Sequence, residues 1–520
     1  MNIITQEPIQ NTGDFKANKI FRPGLSLLFI LTILVYVNTM IEQVSGHGFL
    51  LVAAVFGGYM ALNIGANDVA NNVGPSVGSK ALTMTGAIII AIIFESAGAL
   101  IAGGDVVSTI KKDIIDPALI NDTDTFIWLM MAALLAGAIW LNIATVFNAP
   151  VSTTHSIVGG VLGAGIAARG FDIVNWIVFG KIAASWVISP VLGGIIAASF
   201  LYLIKRSITY QENMVTAAKV MVPLLISLMA GIFSTYLMLK GFKKIWPVDI
   251  LTATSIGGAL SFCTYFIVRP VIAKQATKME NSKSSVNDLF TTPLIFSAAL
   301  LSFAHGANDV ANAVGPLAAI NDALFSGEIT KKAAIPLWVM LIGALGISIG
   351  LALYGAKLIK TVGSEITELD KMRAFCIALS ASVTVIFASQ LGLPISSTHT
   401  AVGAIFGVGF LREFLKNGNA KRLNLIRQYV ADKGLKKEVA ILNEFKNASI
   451  TRKKQILKDL KTEKNLPKKK RKSLKKIYRH ELVKRNHLYK IGAAWVITVP
   501  ASGILAAFFY YTIRGMLFTP

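Results

Sequence analysis

Residues 65–75 read GANDVANNVGP, and residues 306–316 read GANDVANAVGP. Ten of the eleven positions are identical, at an offset of 241. Two further motifs also occur twice, in the same order: PVSTTH at 150–155 with PISSTH at 394–399, and IAASWVI at 182–188 with IGAAWVI at 491–497. Because the order is kept in both halves of the chain, the sequence predicts a duplicated domain.

The composition around these motifs is that of a helical membrane protein. Of 520 residues, 54% are hydrophobic and 15% are charged, whereas a soluble protein carries about 25% charged residues. This excludes an ordinary cytosolic enzyme, a disordered chain and a fibrous protein. Apolar runs of sufficient or nearly sufficient length predict about 12–13 membrane segments. The runs are 24–41, 48–64, 81–103, 127–147, 150–168, 174–204, 219–239, 248–269, 291–304, 334–356, 374–392, 394–411 and 491–513.

The positive charge of the chain is concentrated in one segment. The net charge is +23, and residues 412–490 hold 26 Lys or Arg against 7 Asp or Glu, a balance of +19. The positive-inside rule places this segment in the cytoplasm. If each apolar run is one crossing, the 65–75 motif runs inward and the 306–316 motif outward. We therefore predict an all-α polytopic protein with two inverted repeats and broken or re-entrant helices.

The repeats and the basic segment divide the chain into six predicted parts. These are an N-terminal tail with an extra membrane helix (1–47), the first repeat (48–205), connecting membrane helices and loops (206–289), the first part of the second repeat (290–411), a basic cytoplasmic loop (412–489) and the end of the second repeat (490–520). The two cysteines lie in apolar stretches and indicate neither a disulfide framework nor a metal site.

The first motif places polar side chains at membrane depth. In a helix, Asn67 and Asn71 share one face and Asp68 lies beside it. A carboxylate inside the membrane is costly unless it is paired, so its retention indicates a function. Gly65 and Pro75 favour a break in the helix, which would free backbone groups to bind ions. Helix–helix contact through Asn and small residues would explain one such motif, but it explains two near-identical copies poorly.

The second motif, PVSTTH or PISSTH, predicts an anion site. A helix that begins after the proline exposes unpaired N–H groups and the positive end of its dipole. The hydroxyl groups add donors, and a tetrahedral oxyanion suits several converging donors. A single Ser-Thr pair would be an ordinary helix cap, an explanation that the duplication weakens. His155 and His399 are either members of this site or hydrogen-bonding residues behind it. The hydroxyl residues are Ser152, Thr153, Thr154, Ser396, Ser397 and Thr398.

Glu95 is a third candidate, because it lies well inside an apolar run. An acidic residue there can carry a proton or hold a cation. A structural polar contact is the alternative interpretation.

These motifs resemble those of the inorganic phosphate transporter family, the sodium- or proton-coupled phosphate permeases. The likeness covers about residues 48–411 and 490–514 and rests on both copies of GANDVAN and of the Pro-x-Ser-x-Thr-His pattern. It implies a symporter that imports phosphate with Na⁺ or H⁺, as a homodimer in the cell membrane. It also implies that the residues of both motifs line the phosphate and cation sites.

On this basis we assign roles to individual residues. Substrate binding is assigned to Asn67, Asn71, Asn308 and Asn312 together with the six hydroxyl residues. Cation coupling is assigned to Asp68, Asp309 and Glu95. Hard oxygen ligands for Na⁺ are expected from Asp68, Asp309, Asn67 and Asn308.

Three other functions are consistent with parts of the sequence. An intramembrane aspartyl protease could use Asp68 and Asp309 as a dyad, but a dyad explains neither the asparagines nor the hydroxyl motif. An anion channel would need a continuous pore. A transporter for another oxyanion, such as sulfate or arsenate, would use the same donors.

The expected partners follow from the same reasoning. We expect a multi-pass transporter rather than an enzyme, with no cofactor besides the coupling Na⁺ or H⁺ and no nucleic-acid partner. The bilayer is the expected surrounding. Residues 412–490 are either a solvated cytoplasmic extension that mainly fixes topology or a segment that contacts anionic lipids.

Overall fold

A computed structural model describes residues 21–41, 44–120, 122–147, 149–242, 245–327, 335–364, 369–432 and 485–517. Within these ranges the chain is helical, apart from connecting segments and one isolated β-bridge between Ile115 and Val174. Eleven helical stretches in these ranges are long and apolar enough to cross a membrane. The predicted all-α polytopic class is confirmed.

The helices follow the order of the predicted repeats. The first half contains α1 (Phe21–Met40), α2 (His47–Asn67), α3 (Ala70–Gly78), α4 (Met84–Ala102), α5 (Gly104–Lys112), α6 (Thr123–Val146), α7 (Thr153–Arg169) and α8 (Trp176–Ile204). The connection contains α9 (Met214–Tyr236), α10 (Ile250–Ala276) and α11 (Lys283–Leu289). The second half contains α12 (Thr291–Asp309), α13 (Ala311–Ser326), α14 (Leu337–Tyr354), α15 (Ala356–Ser364), α16 (Lys371–Gln390), α17 (Ser397–Asp432) and α18 (Arg485–Leu517).

Both copies of the first motif interrupt a helix, one between α2 and α3 and the other between α12 and α13. At the first break the N–H of Asn71 bonds to the carbonyl of Asp68, three residues back rather than four. Pro75 and Pro316 lie inside the helices that follow the breaks, where each removes one backbone donor. The predicted broken helices are therefore present in both halves.

The two halves are related by an approximate twofold axis. Helix α2 packs on α14 as α12 packs on α4, and α7 packs on α18 as α17 packs on α8. The same correspondence relates the α3–α15 contact to the α13–α5 contact. Ser96 of α4 and Ser348 of α14 are equivalent residues, and their Oγ atoms lie 2.8 Å apart. The axis therefore passes close to this serine pair.

The directions of the packed helices show that the repeats are inverted. Leu62 lies against Gly350 and Gly74 against Val362, so α2–α3 runs in the same direction as α14–α15. The α4–α5 and α12–α13 segments also share a direction, because Gly103 lies against Val310 as Gly98 lies against Phe303. The short turn 79–83 reverses the chain between α3 and α4. Helices α2 and α12 therefore run in opposite directions, as predicted.

Glycines allow the backbones of these paired helices to touch. A Cβ atom added to Gly65 would lie 1.9 Å from the carbonyl oxygen of Ile347, and one added to Gly306 would lie 2.1 Å from that of Glu95. Any other residue at these positions would push the helices apart. The two contacts are equivalent under the approximate axis and hold both helix breaks near the centre of the molecule.

Helices α6 and α7 form an antiparallel hairpin. Gly137 lies against Ile157 and Gly160 against Ala133. The loops at the open end of the hairpin meet, because the N–H of Asp116 donates to the carbonyl of Ile173 at 2.8 Å. The start of α6 and the end of α7 therefore lie on the same side of the molecule. The orientation of every later helix is then the same whether α7 crosses the whole bilayer or only part of it.

This hairpin explains why eleven candidate spans are found where the apolar runs predicted 12–13 segments. Helix α7 has 17 residues and is shorter than the spans around it. Helix α17, its equivalent in the second half, begins with polar residues and continues into the basic segment. Both helices instead start at the centre of the molecule, where they meet the helix breaks.

Burial separates inner from outer helices. In the Thr291–Ser326 stretch 89% of the apolar window is buried, whereas the figure is 11% for α1 and for α10. In a membrane the exposed apolar faces of α1 and α10 contact lipid. The helices that carry the two GANDVAN copies are thus among the most buried of the candidate spans.

We expect Gly306→Ala to destabilise the fold, because the new methyl group collides with the backbone of α4. Overpacking of this kind costs roughly 1–3 kcal/mol, so the melting temperature of the detergent-purified protein should fall. Gly258→Ala on α10 is the matched control, since an added Cβ there meets nothing within 4 Å. Equal melting temperatures for the two variants would contradict the assigned close contact.

Candidate functional site

Equivalent asparagines hold the tip of the α6–α7 hairpin, and the connection between its counterparts α16 and α17, against a helix break. The Nδ2 of Asn67 donates to Thr145 Oγ1 at 3.0 Å and to the carbonyl of Ala149 at 3.1 Å. Its Oδ1 accepts from the N–H of Val151 at 3.2 Å. In the second half Asn308 donates to Ser389 Oγ at 3.0 Å and to the carbonyl of Leu393 at 3.3 Å. Both amide groups therefore fix where α7 and α17 begin.

The carboxylate of Asp68 lies between the beginnings of α7 and α17. It accepts hydrogen bonds from Thr153 Oγ1 at 2.7 Å and from Thr398 Oγ1 at 2.9 Å. The N–H of Thr153 points to the same carboxylate at 3.4 Å. Asp68 belongs to the first repeat and Thr398 to the second, so both halves solvate one buried charge.

Asp309 has the equivalent position in the second half. Its Oδ2 accepts from Ser397 Oγ at 2.7 Å and lies 2.8 Å from Nε2 of His305. Asp68 and Asp309 are 1% and 0% exposed. Neither carboxylate is therefore solvated by bulk water, and each depends on hydroxyl or imidazole groups of the protein.

A second pair of asparagines binds across the repeats. The Nδ2 of Asn71 donates to Thr398 Oγ1 at 2.9 Å. The Nδ2 of Asn312 donates to Thr153 Oγ1 at 3.0 Å and to Thr154 Oγ1 at 3.3 Å. Thr154 in turn donates to the carbonyl of Ile395 at 2.9 Å. Each repeat thus supplies the amide groups that meet the other repeat's threonines.

Several buried oxygen atoms at this centre accept no hydrogen bond from the part of the chain that the structure describes. They are Oδ1 of Asn71, Asn308, Asp309 and Asn312. Unpartnered buried acceptors are costly, and carboxylate and amide oxygens are the ligands that hard cations prefer. The centre therefore carries more acceptors than its own donors satisfy.

The structure gives Ser152 and Ser396, two of the three predicted serines, a local role. Ser152 caps α7 by accepting from the N–H of His155 at 3.1 Å, and Ser396 caps α17 by accepting from the N–H of His399 at 3.1 Å. Their hydroxyl groups are thus used as ordinary N-caps. The hydroxyl groups of the next residues are the ones that reach the carboxylates.

Glu95 joins the site through a contact between the two repeats that occurs once rather than twice. It accepts from Asn72 Nδ2 at 2.7 Å, and its Oε2 lies 2.6 Å from Nδ1 of His305. Because His305 also contacts Asp309, the polar chain runs Asn72, Glu95, His305, Asp309. All four side chains are buried.

The polar chain has no counterpart on the other side of the approximate axis, because the equivalent positions are apolar at three of its four residues. By the offset of 241, Ile64 corresponds to His305 and Ala313 to Asn72. Ile347 corresponds to Glu95, because each lies against the equivalent glycine of the first motif. Sequence reasoning missed His305 and Asn72. Two signals in the sequence pointed to them. Position 72 is the one mismatch between the motif copies, and His305 lies between the apolar run 291–304 and the second copy.

His155 and His399 lie apart from the carboxylates in an aromatic cluster. The His155 ring lies 3.8 Å from the Trp186 ring, and the His399 ring lies 3.6 Å from that of Trp495. The two histidine rings are 4.4 Å apart, edge to face. They pack α7 against α17 near the axis, which favours a structural role behind the site.

The convergence of acidic groups defines the chemistry of the centre. One ligand atom each from Asp68, Asp309 and His305 lies within 4.8 Å of the other two. Two carboxylates this close in a low-dielectric interior repel each other strongly unless a cation or a proton is shared between them. The hydroxyl groups around them could bind an oxyanion once released from the carboxylates, and the amide groups that donate to those threonines could add to the site.

Comparison with known proteins agrees with this geometry. The sequence model of the phosphate transporter family matches residues 64–506. A candidate phosphate permease of Helicobacter pylori strain J99 is 50% identical over 96% of this chain and 98% of its own length. The chloroplast inorganic phosphate transporter 2-1 of Arabidopsis thaliana is 37% identical over 72% of this chain and 68% of its own. A solved structure of a protein named the sodium-dependent phosphate transporter matches with a TM-score of 0.73 and 32% identity, covering 90% of this chain and all of that one.

We expect Glu95 and His305 to be energetically coupled. Removing either partner leaves a buried charge uncompensated, so Glu95→Gln and His305→Gln should each lower stability. The double variant should lose less than the sum, by roughly 1–3 kcal/mol. Unfolding of all four proteins in detergent micelles measures this. Glu95→Gln combined with Lys371→Met is the control, because Lys371 pairs with Asp288 elsewhere. Additive losses for Glu95 and His305 would show that the contact carries no coupling.

Proposed function

The chain belongs to the phosphate transporter family, and we propose that it is a secondary transporter that imports inorganic phosphate with Na⁺ across the cell membrane. The observation that carries the proposal is the placement of two buried carboxylates at the beginnings of α7 and α17, surrounded by hydroxyl and amide donors from both repeats. One site then offers ligands for a cation and donors for an oxyanion.

The phosphate ligands proposed here come from both halves. Thr153, Thr154, Ser397 and Thr398 offer hydroxyl groups, and Asn71 and Asn312 offer amide N–H groups. The beginnings of two helices add unpaired N–H groups and favourable dipoles. Ser152 and Ser396 remain in the proposed site as the caps that shape these helix ends. Asn67 and Asn308 support it by holding the hairpin tips.

The cation is proposed to bind between Asp68 and Asp309. The unpartnered Oδ1 atoms of Asn71, Asn312 and Asn308 are the best-placed additional ligands. Asn67 is a weaker candidate than the sequence suggested, because its Oδ1 is already taken by Val151. Na⁺ is favoured by the hard oxygen ligands and by the sodium dependence that the similar solved transporter carries in its name.

The same contacts support a binding order in which the cation precedes phosphate. The carboxylates currently accept from Thr153, Ser397 and Thr398, the donors that phosphate would need. Two carboxylates also repel a phosphate anion. A cation between Asp68 and Asp309 removes the repulsion and competes for the carboxylate oxygens, which releases the hydroxyl groups. Coupling would then follow from this shared use of donors.

Proton coupling is the second candidate, and one observation favours it. Glu95 and His305 form a buried carboxylate–imidazole contact that continues to Asp309. Such a chain can exchange a proton with the site. The proposed division is that Asp68 and Asp309 hold the cation, while Glu95 acts on Asp309 through His305.

The alternatives are weaker. Asp68 and Asp309 approach each other as a protease dyad would, but threonine and serine hydroxyl groups bind both carboxylates, and membership of a transporter family points to a non-enzyme. A channel would not explain two sets of donors that are matched across the repeats. A homodimer in the cell membrane, with residues 412–490 against anionic lipids, remains part of the proposal.

Proteoliposomes should accumulate labelled phosphate against its gradient when Na⁺ is higher outside. Arsenate should compete, because it presents the same tetrahedral oxygens, whereas sulfate should compete weakly. Imposing a pH gradient without Na⁺ should give little uptake. Equal inhibition by sulfate would reject the substrate, and uptake driven by pH alone would favour the proton.

Asp68→Asn and Asp309→Asn should each reduce Na⁺-driven uptake at least tenfold, because each removes a negative charge from the proposed cation site. Asp249→Asn is the matched control: Asp249 caps α10 on an exposed loop, and Asn is an equally good cap. Melting temperatures distinguish lost coupling from lost folding. Na⁺-dependent uptake at the wild-type rate by both site variants would refute the assignment.

A further inference from the structure

A groove of about 700 Å³ lies on the lipid-facing side of α8, apart from the candidate site. Its wall is mostly apolar and includes Leu411 of α17, and its one basic lining residue is Arg206. From Ile195 to Arg206 the helix rises about 16 Å. This is about half of the roughly 30 Å hydrocarbon core. The groove therefore has the depth of one leaflet.

Positive charge surrounds the end of the groove at Arg206. Lys205 precedes this arginine in the chain, and Arg412 follows the groove-lining Leu411. Arg373, Arg412 and Lys283 act on Lys205 as positive charges, and Asp370 acts on it as a negative charge. Asp370 is itself paired with Arg373 at 3.3 Å. The balance at this end is positive, and the predicted orientation places it at the cytoplasmic surface.

We propose that this groove binds an anionic phospholipid of the cytoplasmic leaflet, with an acyl chain along its apolar wall and the phosphate beside Arg206. A guanidinium group suits a phosphate because it can donate two parallel hydrogen bonds. Basic pockets between helices on the cytoplasmic side are typical sites for anionic headgroups. The inference goes beyond the proposed function and does not depend on it.

Charge and apolar contact favour an anionic phospholipid over the other molecules that could fill the groove. Residues 433–484 contain the run Lys468 to Lys472 and have a net positive charge like that of Arg206, so charge complementarity does not favour them as the occupant. A zwitterionic lipid offers the acyl chain without the net negative charge. Free phosphate offers the charge but leaves the apolar wall uncovered.

Native mass spectrometry of the full chain, delipidated and then mixed with phosphatidylglycerol or phosphatidylcholine, tests the proposal. Phosphatidylglycerol should bind more tightly, and Arg206→Gln should weaken it about fivefold. Arg169→Gln is the matched control, because Arg169 is an exposed arginine at the end of α7, away from the groove. Ala198→Phe, which fills the groove, should also displace the lipid. Arg206 is exposed, so its variant should fold and transport phosphate normally in phosphatidylcholine.

Four outcomes would overturn the proposal. They are equal binding of both lipids, equal loss for Arg206→Gln and Arg169→Gln, unchanged phosphatidylglycerol binding by Ala198→Phe, and displacement of the lipid by millimolar inorganic phosphate. Binding that appears only after residues 433–484 are deleted, or only in the monomeric fraction, would show that this segment or a second copy of the chain fills the groove instead.

Discussion

Two carboxylates buried at the centre of a membrane protein impose the constraint on which the rest of this structure depends. Neither Asp68 nor Asp309 reaches water, so the protein itself must solvate both. The groups that do so stand at the beginnings of α7 and α17, and those helices must therefore start inside the molecule rather than at its surface. The hairpins, the helix breaks and the asparagines that join them are the means by which this is achieved.

The contacts of this centre cross between the repeats. Thr398 of the second repeat binds Asp68 of the first, while Asn312 of the second binds Thr153 and Thr154 of the first. Neither half has a complete centre by itself. The same contacts give the proposed transporter a route for coupling. A cation that binds a carboxylate takes the place of hydroxyl donors there, and the hydrogen bonds between the halves then change.

Much of this arrangement could be predicted from the sequence, because the duplication leaves stretches of identical residues in both halves. The inverted repeats, the helix breaks at both GANDVAN copies and the helix beginnings at the Ser-Thr motifs all follow from matched stretches and charge bias. The residues that were missed do not match. When the halves are aligned, His305 corresponds to Ile64 and Asn72 corresponds to Ala313. The partners of Asn67 and Asn308 were also missed, since contacts between distant segments leave no local pattern. An apolar run does not show whether its helix starts at the surface or at the centre, so the sequence left open whether 150–168 and 394–411 cross the membrane or re-enter it.

The broken symmetry of the Glu95 chain has a consequence for ancestry. Two identical half-length chains could assemble around the Ser96–Ser348 contact as an antiparallel pair, each inserted in the opposite orientation. In such a pair each residue would occur once in each chain, so a histidine on one side of the axis would have an identical histidine on the other side. The Asn72–Glu95–His305–Asp309 chain could arise only after the two copies could mutate independently of each other. Independent mutation of the halves therefore allowed them to take different tasks.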